Sequence, residues 1–361
     1  MNNTFGKNIG ISIFGESHGA GIGVVMGGLP SGIKIDFDKI QSEMERRAPG
    51  RDKLSTARKE GDIPIIESGI FEGYTTGTPL CALIKNSDTH SKDYSKLKTH
   101  MRPGHADYTG YIRYSGYNDY RGGGHFSGRI TAPLVFAGAV AKQILETRGI
   151  IIGAHISQIA SIKDNKFDSQ NLSAELFRKL LIKQLPVIED SKISDMTEAI
   201  IKAKEEGDSV GGKIECAIIG IPAGIGNPFF DSVESIIAHL AFSVPAIKGI
   251  TFGVGSDFAS MSGSEANDEF IISGDKVTTK TNNNGGILGG ITNGSPIIFE
   301  TIIKATPSIS KEQNTVDIEN KKEVKLQITG RHDPCIVQRA VVVIEAIAAL
   351  AILELNLSVT S

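Results

Sequence analysis

The arginines of this 361-residue chain are grouped with glycine and histidine in a pattern that predicts chemistry on an anion. Eight of the twelve arginines lie between Arg46 and Arg129, and none lies between positions 179 and 330. Arginine grips phosphate or carboxylate with two parallel hydrogen bonds, whereas lysine acts as a point charge. The pattern is carried by residues 15–19 with His18, residues 102–107 with His105, and residues 121–129 with His125, Phe126, Ser127 and Arg129. It predicts an anion-binding active site in which histidine moves protons.

The strength of this prediction differs between the three segments. His105 follows Arg102 by three positions, so an acid would stand beside a bound anion, and we favour this over a structural role. His18 follows a predicted strand within a glycine turn, where a capping or buried histidine is an equal alternative. Residues 121–129 precede a predicted helix, and backbone amides at such a start favour anions over the alternative of a flexible basic loop.

Three further groups could take part. Asp333 stands between His332 and Pro334, where its carboxylate could accept a proton or cap the following helix. Arg46 and Arg47 end a predicted helix, so they either complement its dipole or bind an anion, and the use of arginine favours the anion. The third group ends a predicted strand and could hold a phosphate, although an ordinary turn has equal weight: Lys304, Ala305, Thr306, Pro307 and Ser308.

Composition narrows the class of protein. A net charge of −3 excludes nucleic-acid binding by bulk electrostatics, and 40% hydrophobic residues are typical of a soluble globular protein. Three distant cysteines form neither a disulfide framework nor a metal motif, so we expect no metal and a reducing cytoplasm. The apolar run 340–353 is too short to span a bilayer and contains Glu345, so we expect no membrane span. Residues 207–213 resemble a phosphate-binding loop but lack the hydroxyl residue that would follow.

Periodicity and capping residues predict the elements that position these groups. Helices are expected at 38–47, 133–148, 173–183, 195–206, 231–242 and 336–355. Strands are expected at 9–14, 63–71, 80–85, 213–219, 247–254, 297–304 and 324–328, with a further strand-like run at 22–26. Gly-Leu-Pro-Ser-Gly-Ile at 28–33 returns as Gly-Ile-Pro-Ala-Gly-Ile at 220–225, which indicates a repeated strand–turn–helix unit. The irregular alternation favours an α+β fold with mixed layers, as one domain over 1–361.

Taken together, these motifs resemble the chorismate synthase family over essentially the whole chain, including the glycine-rich run 285–290 and residues 330–335. The resemblance implies an internally duplicated β-sandwich core flanked by helices and a homotetramer. It implies an anti 1,4-elimination of phosphate from 5-enolpyruvylshikimate 3-phosphate, with reduced FMN and no net redox change. The chain departs from the family in two places: many members read Arg-Ser-Ser-Ala-Arg where this chain has residues 125–129, and an arginine that pairs with Arg47 in family members is here Lys53.

The resemblance also implies roles for individual residues. His18 would supply a proton to the flavin, His105 would protonate the leaving phosphate, and Asp333 would act with flavin N5 to remove the ring proton. The polyanionic substrate would contact Arg46, Arg47, Arg102, Arg129 and Arg331. FMN would contact His125, Phe126, Ser127, Pro245, Ala246, Gly289, Lys304, Ala305, Thr306, Pro307, Ser308 and Arg331.

NADPH, if used to reduce the flavin, would contact Arg47 and Lys53. The absence of a large insertion favours an external flavin reductase as the source of reduced FMN. Two rival functions remain open on the residues alone: a non-catalytic flavin or polyanion-binding protein, and a flavin oxidoreductase.

Overall fold

The computed structural model describes residues 4–50, 61–87, 96–328 and 333–359. The helices are α1 (Phe37–Arg47), α2 (Asp107–Arg113), α3 (Thr131–Glu146), α4 (Ala174–Leu181), α5 (Lys192–Glu205), α6 (Val233–Ser243), α7 (Gly263–Ala266) and α8 (Val337–Val359). The strands are β1 (Thr4–Phe5), β2 (Gly10–Gly15), β3 (Gly21–Gly27), β4 (Pro64–Ser68), β5 (Ile70–Phe71), β6 (Tyr74–Thr75), β7 (Leu80–Lys85), β8 (Ile151–Ile159), β9 (Ile162–Lys163), β10 (Gly212–Ile219), β11 (Ile247–Phe252), β12 (Phe270–Ser273), β13 (Lys276–Thr279), β14 (Ile287–Leu288), β15 (Ile291–Thr292), β16 (Ile297–Ile303), β17 (Gln313–Asp317) and β18 (Lys322–Leu326).

Two antiparallel five-stranded sheets enclose a layer of helices. The first sheet has the order β1-β2-β3-β7-β4 and the second the order β11-β16-β10-β8-β9. Helix α3 packs on β3 and β7 of the first sheet, while α8 packs on β8 and β10 of the second. The expected α+β class with mixed layers is therefore confirmed. Helices α3 and α8 lie between the two sheets, so the core is not a sandwich of directly packed sheets, whereas α4 packs on the other face of β8.

The composition of α3 and α8 explains this central position. Both helices are apolar on nearly every side, so each must be covered all round by protein. They approach closely because a Cβ at Gly138 would lie 2.3 Å from the Cβ of Ala346. The stretch Val337–Leu357 is long and apolar enough to cross a membrane by composition, but 89% of it is buried inside the protein. Packing in the core accounts for that apolar surface.

The repeated motif at 28–33 and 220–225 forms the same turn in both halves of the chain. The Thr75 hydroxyl donates to Pro30 O at 2.7 Å and accepts from Ile33 N at 3.0 Å. In the second copy, Thr292 donates to the carbonyl of Pro222 at 2.7 Å and accepts from Ile225 N at 2.9 Å.

The elements around this turn also recur. The order β2-β3-α1-β4-β7-α3 in the first half matches β8-β10-α6-β11-β16-α8 in the second. The outer register shifts match as well: β4 shifts against β7 between Ile66 and Ser68, and β11 shifts against β16 between Ile247 and Gly249. The central helices α3 and α8 are therefore equivalent elements of the two halves.

Most predicted elements are present, with boundaries moved by a few residues. The second-half helix was expected from Asp231, but α6 begins at Val233 because the Ser232 hydroxyl caps it at Ser235 N. Asp231 instead pairs with Lys7. Strand β8 and helix α2 were not predicted.

Candidate active site

The predicted motifs gather at one end of the helix layer. Helices α3 and α8 run side by side in the same direction, as shown by the contact Lys142–Glu345 and by the contact Arg148–Asn356, which lies just past the end of α3 and further along α8. Their N-termini therefore lie at the same end of the molecule, and both present positive helix dipoles to it. The β2–β3 loop that carries His18 and the segment after β16 reach the same end, because β2 and β16 both end there. This end is suited to an anion.

Three consecutive glycines form the centre of the site. Gly122, Gly123 and Gly124 have φ values of 57°, 85° and 56°, which favour glycine. A Cβ at Gly122 would lie 2.2 Å from Nδ1 of His18, and a Cβ at Gly123 would lie 3.1 Å from Nε2 of His105. The glycine loop therefore brings both predicted catalytic histidines together, and only residues without side chains leave room for them.

The loop holds its neighbours through the backbone as well. Ser17 N donates to Gly124 O at 3.1 Å, which ties the β2–β3 loop to the glycines. The Asn86 amide donates to the carbonyls of Glu16 and Gly19, both at 2.9 Å. His18 is thus held in a buried turn fixed from two sides.

His105 stands in a compact group of charges. Its Nδ1 lies 2.7 Å from the carboxylate of Asp107, which also accepts from Arg102 Nε and Nη2 at 2.7 Å each. Burial lowers the pKa of His105, and the charges of Arg102 and Lys304 lower it further, against the raising effect of Asp107. Burial alone would raise the pKa of Asp107, but the hydrogen bonds from Arg102 and His105 hold it well below its usual range.

A second group of charges surrounds Asp62. This carboxylate accepts from Arg47 Nε at 2.9 Å and from Nη2 at 2.5 Å, and it pairs with Arg129 through its other oxygen. The Arg129 Nε donates to Asn86 Oδ1 at 3.1 Å, which links this group to the His18 turn. Burial lowers the pKa of Arg47 to about 10, with a further contribution from the nearby charges of Arg339 and Arg129.

Asp333 joins the same group through Arg339. Arg339 Nη1 donates to the Asp333 carboxylate at 2.7 Å, and Arg339 Nε donates to Arg47 O at 3.0 Å. Asp333 therefore lies at the start of α8 and contacts a cation that also touches the end of α1. Val210 N donates to Pro334 O at 2.8 Å, and Ser209 donates to Thr306 O at 2.7 Å, so the Asp333 segment and the 304–308 segment share a neighbour.

The comparison with known proteins identifies the family. A family model described as chorismate synthase matches residues 9–357. The chain belongs to the chorismate synthase family. Chorismate synthase of Pyrococcus abyssi is 47% identical over 350 residues, which cover 97% of this chain and 96% of that protein. Chorismate synthase of Chitinophaga pinensis is 45% identical over 355 residues, covering 98% and 96%.

A solved structure supports the same conclusion. A chorismate synthase crystal structure superposes with a TM-score of 0.77 at 27% identity, covering 98% of this chain and 93% of that one. Membership of the chorismate synthase family makes the chain a carbon–oxygen lyase and favours neither rival function.

Several residues that the family resemblance assigns to FMN lie close to His105. Lys304 donates from its backbone to Ala246 O at 3.0 Å and from its ammonium group to Gly104 O. Arg102 Nη1 donates to Ser308 Oγ at 3.1 Å. The turn at 245–246, the segment 304–308 and the Arg102 loop are therefore one connected region.

Other residues of that set have structural contacts in this chain. His125 Nδ1 donates to Gly15 O at 2.8 Å, and the Ser127 hydroxyl accepts from Arg129 N at 3.3 Å as a cap. The Phe126 ring packs near Tyr114, with centroids 6.2 Å apart. Gly289 lies at the tip of the β14–β15 hairpin, beside α6, and no described contact joins it to the His105 region. Arg331 and Lys53 lie outside the described residues.

The side chain of Arg46 points away from the candidate site. Its guanidinium donates to Glu345 at 2.6 and 2.9 Å and to Glu43 at 3.1 Å, and Lys142 pairs with the same two carboxylates. This buried cluster of four charges lies between α1, α3 and α8. Arg46 and Arg47 are neighbours in sequence, but consecutive helical side chains point about 100° apart. The structure therefore brings Arg47 to the site and places Arg46 in the core.

Two residues that organise the site were missed from sequence. Asp62 is 15 positions from Arg47 and 67 from Arg129, so no local spacing reveals the pairing. Asn86 gave a weak signal, because it is a polar residue directly after the apolar strand β7. Asp107 was part of a quoted motif, but its double role became visible only in the folded chain.

Proposed function

We propose that this member of the family removes phosphate from 5-enolpyruvylshikimate 3-phosphate by anti 1,4-elimination, giving chorismate with reduced FMN as cofactor and no net redox change. This is the last step of the shikimate pathway to the aromatic amino acids. The observation that carries the proposal is the meeting of two buried histidines at one glycine loop, beside buried arginines and two helix N-termini.

The buried arginines support a polyanionic substrate. Arg47, Arg129 and Arg339 stand around Asp62 and Asp333. These guanidinium groups and the nearby Arg102 would complement a substrate with one phosphate and two carboxylates.

His105 would protonate the leaving phosphate oxygen. Its Nε2 faces the glycine loop, while its Nδ1 is turned to Asp107. The free protein favours the neutral ring because the pKa is lowered. A bound phosphate dianion would raise that pKa and charge the ring where the proton is needed. Binding of the phosphate would therefore favour protonation of the histidine that donates a proton to it.

Asp333 would accept the ring proton, and His18 would supply a proton at the other side of the glycine loop. Arg339 fixes the Asp333 carboxylate at the start of α8. A carboxylate is a group that can accept a proton. His18 is buried in a turn that Asn86 holds, so its ring has little freedom to turn away.

The described residues fit FMN, a cofactor with a phosphate and a hydrogen-bonding ring. Thr306 Oγ1 is buried and has no hydrogen-bond partner within the described part of the chain. Lys304 and Ser308 lie on the same segment, and Ala246 adopts a φ of 75° beside it. Such an orphaned hydroxyl next to a cation is suited to a bound polar group. Reduced FMN, when bound, supplies electron density to the allylic system as the carbon–oxygen bond breaks.

The source of reduced FMN would be outside the chain. The nitrogens of Arg47 are engaged by Asp62 and by Gly128 O, which leaves this side chain poorly placed for NADPH. We therefore favour supply by an external flavin reductase in the cytoplasm.

A homotetramer is supported by exposed apolar side chains. Phe229, Phe230 and Ile272 are 84%, 90% and 74% exposed, which is costly for an isolated chain. Light scattering after gel filtration would measure the assembly, and a monomer at micromolar concentration would contradict it.

The test is a single anaerobic reaction with photoreduced FMN and 5-enolpyruvylshikimate 3-phosphate. Phosphate release and diene absorbance are followed together with the flavin spectrum. Equal phosphate and diene with the flavin still reduced would support the proposal. Flavin oxidised in step with product would indicate an oxidoreductase, and bound flavin without product would indicate a binding protein.

A further inference from the structure

Asp107 connects the two groups that the proposed reaction needs at the phosphate. It is the first residue of α2, and its side chain is only 4% exposed. One carboxylate oxygen accepts from Arg102 N at 3.0 Å and Arg102 Nε at 2.7 Å. The other oxygen accepts from Arg102 Nη2 and stands 2.7 Å from His105 Nδ1. All acceptor positions of this carboxylate are directed at these two residues.

This contact decides which nitrogen of His105 carries the proton. An ionised carboxylate only accepts hydrogen bonds, so a stable contact at 2.7 Å requires a proton on Nδ1. Arg102 Nη2, at 3.1 Å from the same Nδ1, is itself a donor and cannot bond to Nδ1–H. The neutral ring therefore keeps its lone pair on Nε2, and the charged ring presents Nε2–H toward Gly123.

The same carboxylate sets the orientation of Arg102. It uses the Nε and Nη2 edge of the guanidinium, and Nη1 is left to reach Ser308. The free edge of Arg102 thus faces the 304–308 segment, where we expect anionic groups. Without Asp107, the guanidinium could turn its paired edge elsewhere.

We propose that Asp107 is a positioning residue that fixes the tautomer of His105 and the direction of Arg102 as one unit. The inference rests on the proposed function, because His105 and Arg102 act there on the departing phosphate. Asp107 itself touches no reacting atom and acts through its two partners.

Asn is the informative substitution. A carboxylate offers acceptors on both oxygens, whereas an amide offers one acceptor and one donor. In Asp107→Asn, either Arg102 or His105 must therefore face an NH₂ group. Among the described residues, the charged groups that act on His105 are Asp107, Arg102 and Lys304, so within that part of the chain the variant leaves the ring with two cations and no carboxylate.

The first measurement does not depend on turnover. Solid-state ¹⁵N NMR of the full-length protein labelled at histidine would report the His105 tautomer, with His105→Gln identifying its signal among the eight histidines. A neutral ring protonated on Nδ1 is expected. A neutral ring protonated on Nε2 would overturn the proposal even if the enzyme makes chorismate.

The second measurement is kinetic. Asp107→Asn should reduce kcat by about 10²–10⁴-fold, as expected when a histidine acid is held in the wrong tautomer. The kcat of the enzyme should fall with rising pH as His105 loses its proton. This fall should occur at lower pH in the variant, because the carboxylate that raises the His105 pKa is lost.

The control is Asp231→Asn, which removes the same charge from an exposed pair with Lys7 at the opposite end of the strands. It should keep wild-type kcat and the wild-type pH profile. An Asp107→Asn enzyme with an unmoved pH profile would show that Asp107 merely supports the fold. Absence of chorismate in the wild type would refute the proposed function, while the NMR result would still decide the role of Asp107.

Discussion

Replacing Asp62 with asparagine should destabilise the protein more than any surface charge substitution. The Asp62 side chain is fully buried and compensates Arg47 and Arg129 at once, so its neutralisation leaves two buried guanidinium groups without their carboxylate. Removing one partner of a buried ion pair costs about 3–5 kcal/mol, and the double pairing places the expected loss near the upper value. The loss should be visible as a lower urea midpoint with an unchanged slope.

The pH dependence of stability provides a second test of this prediction. Burial raises the pKa of Asp62, but Arg47 and Arg129 outweigh it, so the folded pKa lies below the unfolded value. A depressed carboxyl pKa adds stability above the unfolded pKa of about 3.9, and that stability is lost as the pH falls toward the folded pKa. The difference in free energy of unfolding between the wild type and Asp62→Asn should therefore shrink as the pH is lowered below about 4.

The assay is urea unfolding followed by far-UV circular dichroism at fixed protein concentration, since the chain has no tryptophan. Asp231→Asn is the control, because its pair with Lys7 is exposed and such pairs contribute about 0–1 kcal/mol. Inorganic phosphate should restore more stability to Asp62→Asn than to the wild type, because the released arginines can bind it. A loss equal to that of the control would refute the view that Asp62 holds the arginines.

Three further substitutions test the site itself. His105→Ala should keep flavin and substrate binding, measured by calorimetry, but lose about 10²–10⁴-fold in turnover; lost binding with unchanged turnover per bound complex would contradict the acid role. Asp333→Asn should behave in the same way, and wild-type activity would exclude it as the base. Gly122→Ala should impair turnover, because its methyl group would meet His18 at 2.2 Å, whereas Gly263→Ala, which has open space around it, should not. Equal activity of the two glycine variants would argue against the packing described here.

Local patterns predicted the parts of the fold that local physics controls. Strand β7 lies at the predicted residues 80–85, and the apolar composition of α8 correctly predicted a central helix. Strand β8 was missed because its nine residues are buried on both faces and show no alternation. Helix α2 has only seven residues and no side-chain cap, so neither a periodic apolar pattern nor a capping residue predicted it.

The candidate site was likewise predicted only where local motifs exist. The glycine and histidine motifs predicted His18 and His105, because a tight turn requires glycine and proton transfer requires a side chain such as histidine. The assignment of Arg46 beside Arg47 received no support from the contacts, since helix geometry separates adjacent side chains. The pairing through Asp62 joins segments far apart in the chain, and only the packing of α1 against α3 determines it.

The parallel pair α3 and α8 gives the two halves of the chain the layout of a symmetric dimer joined into one polypeptide. A two-fold axis between two parallel, equivalent helices runs along them and emerges at their common N-terminal end, where the candidate site lies. Two identical subunits would have to place the same groups on both sides of such an axis. One chain is free of that constraint. Here the first half contributes His18, His105 and Arg102, while the second contributes Lys304 and Asp333. Joining the halves thus permits an asymmetric pocket, and a substrate with one phosphate at one position requires one.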